Sequence, residues 1–151
     1  MPEEMVFFED FPVGFSEESP EVEASREEML AYARSNDPWP IHVDEEFAAS
    51  TPFGGIIASF GYVASLFFRS VHALPVNQAS GEGFIAAVGW QVEFRGAVRP
   101  GDRLRVRMTV KEKRPSSKPG RGVVVTHNEV MDAEDDVKVV IEITSLYRTR
   151  P

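Results

Sequence analysis

The residues best suited to chemistry in this sequence are Asp37 and His42, which stand five positions apart in the segment Asp-Pro-Trp-Pro-Ile-His. The prolines at 38 and 40 restrict the backbone, so we expect a carboxylate and an imidazole on a stiff, extended or turn-like loop. A carboxylate and an imidazole that converge on one water can orient it, take its proton and return a proton elsewhere, which is general acid–base catalysis. The same residue types also fit a structural role, in which Asp37 closes a turn and His42 packs at a strand edge.

Other kinds of reactive site find less support in the residues. The chain has no cysteine, which excludes disulfides and thiolate ligands. His72 and His127 have no companions at metal-ligand spacing, so no metal site is expected. Ser59 and Ser65 lie in an apolar stretch, where a serine more often bonds back to a carbonyl. The sequence contains neither a G-x-S-x-G elbow nor a glycine-rich phosphate loop.

Length and composition indicate one globular domain, taken as residues 1–151. Hydrophobic residues make up 42% of the chain and charged residues 26%, values typical of a folded protein that can bury a core. The net charge of −8 argues against a nucleic-acid-binding surface, which is normally basic. The first residues lack the basic and apolar regions of a secretory signal, so a cytoplasmic location is expected.

Charge is distributed unevenly along the chain. Residues 1–46 contain 14 acidic and 2 basic side chains, whereas residues 95–121 contain 10 basic and 2 acidic ones. A basic zone on an acidic protein favours an anionic small ligand, such as a phosphorylated cofactor. Alternatively, these cations form the solvated face of strands and are neutralised by the acidic N-terminal third.

Two helices are expected to position the candidate site. The capping pattern Ser-x-x-Glu at 25–28 predicts a helix from about 26 to 34, which ends before the prolines, and a helical turn is expected at 44–49. A second helix, from about 56 to 71, has almost no polar stripe and should be buried on all sides. Residues 47–68 carry no charge, but proline and glycine leave too short a helix for a comfortable membrane crossing.

After this helix the pattern changes to a period of two, which is typical of strands with one covered face. Strands are expected near 84–94, 103–110, 122–131 and 137–147, with a tight turn at 99–102, a longer loop at 115–121 and a polar hairpin tip at 132–136. An apolar helix that must be covered by antiparallel strands predicts an α+β architecture, a curved sheet wrapped around one long central helix, known as the hot-dog fold. One sheet covers a helix incompletely, so we expect a homodimer.

Several stretches together resemble the hydratase motif of the MaoC-like dehydratases, the family that includes the (R)-specific enoyl-CoA hydratases with a hot-dog fold. They are residues 33–44, the run Pro-Phe-Gly-Gly-Ile-Ile-Ala-Ser at 52–59 and the strand-turn-strand sequence at 98–104. Residues 116–122 are similar to a loop of the mesaconyl-CoA hydratase-like branch. The Asp-to-His spacing combined with the Phe-Gly-Gly run is the specific part of this resemblance, which spans nearly the whole chain.

The resemblance implies hydration of a trans-2-enoyl-CoA, or dehydration of a 3-hydroxyacyl-CoA. Asp37 and His42 would hold the water, with His42 as the base and Asp37 orienting the water and assisting proton delivery. A backbone N–H of Phe60 or Gly61 would stabilise the thioester oxyanion, and the candidate pocket residues are Trp39, Phe53, Ser59 and Tyr62. The cations expected to meet the phosphates of coenzyme A are Arg95, Arg99, Lys118 and Arg121. Coenzyme A is part of the substrate, and no separate cofactor is expected.

Two residues depart from the family pattern. Trp39 stands where an amide is frequent, and Phe60 stands where glycine is usual at the oxyanion position, so its side chain could obstruct the substrate. These two residues keep a non-catalytic acyl-CoA-binding subunit open as an alternative. A hot-dog acyl-CoA thioesterase also stays open, because such enzymes share the architecture and the ligand.

Overall fold

The computed structural model describes residues 5–151, which form a six-stranded antiparallel sheet with a helix packed against one face. This is the predicted α+β hot-dog fold. The helices are α1 (Arg26–Asn36), α2 (Pro40–Val43), α3 (Glu45–Ser50), α4 (Phe60–His72) and α5 (Pro75–Ser80), with short 3-10 turns at Phe8–Asp10 and Gly81–Gly83. The strands are β1 (Ser16–Glu18), β2 (Val22–Glu23), β3 (Phe84–Phe94), β4 (Arg103–Pro115), β5 (Arg121–Met131) and β6 (Val137–Arg148).

The sheet has the order β1-β4-β5-β6-β3, and β2 also pairs with β4. Strands β3 to β6 confirm the four predicted strands, although β4 continues to Pro115 instead of ending near 110. The predicted tight turn is present, since the Asp102 N–H donates to the Arg99 carbonyl at 3.1 Å and Gly101 has a φ of 87°, a conformation that favours glycine. Strand β3 lies at one edge of the sheet, beyond β6.

The inner face of the sheet and helix α4 form the core. Leu104 and Val106 of β4 and Val139 and Ile141 of β6 are all buried. Along β4 the buried residues alternate with more exposed ones, so the predicted pattern of one covered and one wet face is confirmed for this strand, because side chains alternate along a strand.

Arg103, Arg105 and Arg107 of β4 lie on the wet face and pair with the N-terminal segment. Arg105 and Arg107 both contact Glu18 of β1, and Arg103 contacts Glu21 at 2.8 Å. The pKa of Glu18 is lowered, chiefly by its hydrogen bond with Arg107. These arginines therefore agree with the alternative interpretation of the basic zone, in which the cations form the solvated face of strands and are neutralised by the acidic N-terminal third.

Helix α4 differs from the prediction in its start and in its burial. It begins at Phe60 and not near Ile56, because Ser59 acts as the N-cap and Ala58 is held outside the helix by a 2.8 Å hydrogen bond from its N–H to the Val98 carbonyl. One side of the helix stays uncovered, where Phe68 is 43% exposed. No helix among residues 5–151 is long and apolar enough to cross a membrane.

Some short elements were not predicted from the sequence. Helix α2 occupies part of the segment expected to be extended or turn-like, since Pro40 at its first position fixes a helical φ and needs no hydrogen-bond acceptor. Strands β1 and β2 have only three and two residues, which is too short for a clear periodic pattern. Helix α5 begins with Pro75 in the same way as α2.

Candidate active site

The end of helix α1 places the Asp37 carboxylate. Helix α1 starts at the Ser25 cap, whose side chain accepts a hydrogen bond from Glu28 N–H, and it ends at Asn36. Asp37 is the C-cap residue, and its N–H donates to the Ala33 carbonyl at 2.8 Å. Since Pro38 disfavours helical backbone before it, the chain leaves the helix here and the carboxylate is presented at its end.

Helix α2 places the imidazole of His42. The His42 backbone N–H donates to the Trp39 carbonyl at 2.8 Å, and the ring Nδ1 lies 2.8 Å from the carbonyl oxygen of Ile57. A carbonyl oxygen only accepts hydrogen bonds, so Nδ1 carries the proton in this contact. Neutral His42 therefore has its unprotonated nitrogen at Nε2, on the side that faces Asp37.

Asp37 and His42 face one another. The distance from His42 Nε2 to Asp37 Oδ2 is 3.6 Å, which is longer than a direct hydrogen bond and short enough for both groups to contact one water. The side chain of His42 is 12% exposed and that of Asp37 is 36% exposed. This arrangement can bind a water between a base and a carboxylate while leaving it accessible to a substrate.

Both side chains line one cleft of ≈ 520 Å³. Its walls come from the start of α4, from the segment that follows β3 and from the start of β6. The lining residues are Asp37, His42, Phe53, Ile57, Ala58, Phe60, Val63, Phe94, Arg95, Gly96, Ala97, Val98 and Val139. Most of these side chains are apolar, as expected for a site that receives an acyl group.

The start of α4 brings backbone donors to this cleft. Among the described residues, the N–H groups of Phe60 and Gly61 have no hydrogen-bond partner, while the Tyr62 N–H is capped by Ser59 Oγ at 3.4 Å. Free N–H groups and the positive end of the helix dipole suit a developing negative charge. Phe60 lines the cleft, and its ring packs edge-on against Phe94, with centroids 5.2 Å apart.

Gly61 has a different neighbour. A Cβ at this position would lie 2.0 Å from the hydroxyl of Tyr32 on α1, so glycine is required by helix packing. Gly61 does not line the cleft, and of the two candidate oxyanion donors only Phe60 does.

Three of the four candidate pocket residues lie outside the cleft lining. Trp39 is 68% exposed and Ser59 is the buried cap of α4. Tyr62 faces α1, where its hydroxyl donates to Glu28 Oε2 at 3.0 Å, and burial together with this bond raises its pKa to about 12. Only Phe53 lines the cleft. Burial on the α1 side of α4, which sequence reasoning could not assign, explains the placement of Tyr62.

The four candidate cations separate into two groups. Arg95 lines the cleft, and Arg99 lies beside Gly55, close to the segment that holds Ile57. Lys118 and Arg121 do not share this site. Arg121 pairs with Arg148, nine residues along β6 from Val139, so it lies about 30 Å from the cleft at the usual rise of a strand.

Sequence reasoning missed the groups that hold His42 in place. The Ile57 carbonyl is a backbone group without a residue-type signal, and residues 96–98 reach the cleft only because they follow β3. Within residues 5–151 no cluster of His, Asp and Glu suits a metal ion.

Comparison with known proteins agrees with this fold. The family model for the MaoC like domain matches residues 12–133. A 3-hydroxybutyryl-CoA dehydratase from Methylorubrum extorquens is 34% identical over 139 residues, which cover 89% of this chain and 85% of that protein.

The solved structures that resemble this fold include a MaoC-like dehydratase and an (R)-hydratase. The crystal structure of the MaoC-like dehydratase from Rhodospirillum rubrum has a TM-score of 0.87 and 30% identity, over 97% of this chain and 99% of that chain. An (R)-hydratase from A. caviae involved in PHA biosynthesis has a TM-score of 0.70 and 25% identity, over 93% of this chain and 98% of that chain. The chain described here belongs to the MaoC-like dehydratase family and is a hydro-lyase.

Proposed function

We propose that this protein catalyses the reversible hydration of a trans-2-enoyl-CoA to a 3-hydroxyacyl-CoA, with Asp37 and His42 as the catalytic residues. The observation that carries the proposal is their geometry, in which Nε2 of His42, the ring nitrogen that does not contact Ile57, faces Asp37 across 3.6 Å inside an apolar cleft. The names of the dehydratase from Methylorubrum extorquens and of the (R)-hydratase from A. caviae support the same reaction type.

In the hydration direction His42 Nε2 takes a proton from the water that Asp37 orients. The water oxygen bonds to C3 of the enoyl group, and the electron pair of the C2–C3 double bond moves toward the thioester, which becomes an enolate. The proton taken by His42 is then passed to C2 with the help of Asp37, so that water is added without net loss or gain of protons. General acid–base catalysis of this kind contributes about 10²–10⁴-fold.

The enolate oxygen needs stabilisation, and the start of α4 offers it. Phe60, whose N–H is free and lies at the positive end of the helix dipole, lines the same cleft. One such donor typically contributes about 2.7–4 kcal/mol to transition-state stabilisation. The Phe60 ring packs edge-on against Phe94 of β3, and both residues line the cleft.

The coenzyme A portion of the substrate carries phosphates, and two cations lie near the cleft. We assign Arg95 and Arg99 to these phosphates, because one lines the cleft and the other lies beside Gly55. Arg95 also forms an ion pair with Glu93, in which the Arg95 Nε lies 3.0 Å from a carboxylate oxygen of Glu93.

The direct test is turnover of a panel of enoyl-CoAs, followed as loss of the enoyl absorbance. We expect hydration of crotonyl-CoA by the wild-type protein and a loss of at least about 100-fold in Asp37→Asn. Release of free thiol, followed with a thiol reagent, would instead identify a thioesterase. Tight binding of acyl-CoA without any change in the ligand would identify a binding subunit and would overturn the proposal.

We also propose that the protein is a homodimer, joined through the free edge of β3. This edge strand carries a row of exposed apolar side chains, which are Phe84, Ile85, Val88, Trp90 and Phe94. Trp90 stacks on Phe68 of α4, with ring centroids 6.2 Å apart, so the uncovered side of the helix and the strand edge form one apolar surface. Such a surface on an unpaired edge suits pairing with a second copy.

Light scattering tests the dimer. We expect twice the monomer mass for the wild-type protein, and a monomer for Val88→Lys, because Val88 is 58% exposed and a charge there costs little within one chain. A wild-type monomer at micromolar concentration would contradict this assembly.

A further inference from the structure

A second cavity, of ≈ 390 Å³, lies between α4 and the inner face of the sheet. It is lined from the helix by Phe67 and Val71 and from the strands by residues that include Met108, Asn128 and Ile143. None of the residues that line the catalytic cleft lines this second cavity. It is therefore a separate space that the proposed reaction does not use.

The two cavities lie in one groove along α4. The inward-facing residues of β6 are Val139, which lines the cleft, then Ile141, and then Ile143, which lines the second cavity. On α4 the order is the same, because Val63 lines the cleft and Phe67 lines the second cavity. Four residues of helix correspond to about 6 Å, so the two spaces are close neighbours.

Buried apolar side chains stand between the two cavities and form a wall. Ile141 is 0% exposed, lines neither cavity and lies between Val139 and Ile143 along β6. Val63, which lines the cleft, and Phe67, which lines the second cavity, belong to the same buried cluster as Ile141. With the thioester oxygen at the start of α4, as proposed above, an acyl chain that extends along the helix passes Val63 and then reaches Phe67, one turn further on.

We propose that Phe67, together with Ile141, separates the catalytic cleft from the second cavity and so restricts the substrate to short acyl chains. The second cavity is the space that a longer chain would fill if the wall were absent. This inference rests on the proposed hydratase function, because it takes the cleft to be the acyl site. Phe67 is then the residue that sets chain length, since it offers the larger side chain of the pair.

The test compares trans-2-octenoyl-CoA with crotonyl-CoA in four proteins. These are the wild type, Phe67→Ala, the milder variant Phe67→Leu and the control Leu66→Ala. Leu66 is a matched control because it is as deeply buried on the same helix and lines neither cavity. Circular dichroism and thermal melting establish which variants are folded.

The quantity compared is the ratio of kcat/KM for octenoyl-CoA to kcat/KM for crotonyl-CoA. We expect this ratio to be below about 0.1 in the wild type and to rise at least tenfold in Phe67→Ala. The reason is that each additional buried methylene of the acyl chain increases binding by about fourfold. The ratio should rise by a smaller factor in Phe67→Leu and stay within about twofold in Leu66→Ala. Should Phe67→Ala fail to fold, the Phe67→Leu variant decides the question. A wild-type ratio near one, or an unchanged ratio in folded Phe67 variants, would overturn the inference.

A binding measurement separates this inference from the proposed function. Calorimetry with butyryl-CoA and octanoyl-CoA reports chain length without turnover, and we expect the same change in the ratio of Kd values. If no enoyl-CoA is hydrated but the Kd ratio responds to Phe67→Ala, the proposed reaction fails and the wall is supported. If hydration is observed but neither ratio responds, the reaction is supported and the wall is rejected.

Discussion

The imidazole Nδ1 of His42 lies 2.8 Å from the carbonyl oxygen of Ile57, and this contact determines which ring nitrogen faces Asp37. It also ties helix α2 to the segment that leads into α4. His42, the proposed base, and the backbone donors at the start of α4 are therefore held by neighbouring parts of one short stretch of chain, which limits their relative movement.

This contact predicts different results for two substitutions of His42. An asparagine can place an amide N–H near the position of Nδ1 and keep the bond to Ile57, but it has no base at the position of Nε2. We expect His42→Asn to lower kcat by about 10²–10⁴-fold with little change in the melting temperature.

His42→Ala is the companion variant, because it removes both functions. It should lose activity to a similar extent and also lose about 1 kcal/mol of stability, since the Ile57 carbonyl is left without its partner. Activity of His42→Asn within tenfold of wild type would contradict the role of His42 as the base.

The packing of Tyr32 on Gly61 predicts a destabilising substitution that lies outside the cleft. Gly61→Ala forces the Tyr32 ring to move, since the added Cβ would lie 2.7 Å from its Cζ atom. We expect a loss of about 1–3 kcal/mol in the free energy of unfolding, measured by urea denaturation.

Tyr32→Leu provides the control for this prediction. In that background Gly61→Ala should cost clearly less, because the ring atoms that the methyl group meets are gone. Equal costs in the two backgrounds would show that the contact with Tyr32 is not the reason for the glycine.

The raised pKa of Tyr62 predicts a dependence of stability on alkaline pH. Its pKa in the folded protein is about 12, because of burial and the hydrogen bond to Glu28, and an unfolded tyrosine ionises near its ordinary value of 10. At high pH the unfolded chain loses the tyrosine proton before the folded protein does. The free energy of unfolding is therefore unaffected by ionisation of Tyr62 below pH 10, and it falls as the pH rises from 10 toward 12, because ionisation of the tyrosine then favours the unfolded chain.

Tyr62→Phe removes this ionisation. We expect its free energy of unfolding to fall less steeply than that of the wild type between pH 10 and pH 12, and its kcat to stay near the wild-type value, because Tyr62 does not line the cleft. Denaturant unfolding across this pH range makes the comparison. A large loss of turnover in Tyr62→Phe would restore Tyr62 to the substrate pocket.

The positions of the four candidate cations predict which of them bind coenzyme A. Arg95→Ala and Arg99→Ala should each raise KM for crotonyl-CoA by about threefold to fivefold with little change in kcat, as expected for exposed ion pairs that contact a part of the substrate remote from the reaction. Lys118→Ala and Arg121→Ala should leave KM unchanged. A rise in KM in the last two variants would indicate that the loop between β4 and β5 of a partner subunit supplies phosphate contacts.

Local sequence patterns predicted most of the fold. The alternation along β4 and the capping pattern at Ser25 report on neighbouring residues, so strands and helix starts can be read from them. The resemblance of residues 33–59 to one family likewise pointed to Asp37 and His42 as the candidate catalytic pair, and both line the same cleft. The cytoplasmic location stays a prediction.

Sequence by itself determined the residue types, the hydrophobic periodicity of the strands and the proline-containing segment that carries the Asp37 carboxylate and the His42 imidazole. Only the tertiary structure decided which side of α4 each residue faces, and so directed Tyr62 to Glu28, Gly61 to Tyr32 and Phe60 to the cleft. It also separated Arg121 from Arg95 along the sheet. The physical reason is that these relations depend on strand register and on packing between elements distant in sequence, and no local pattern encodes either of them.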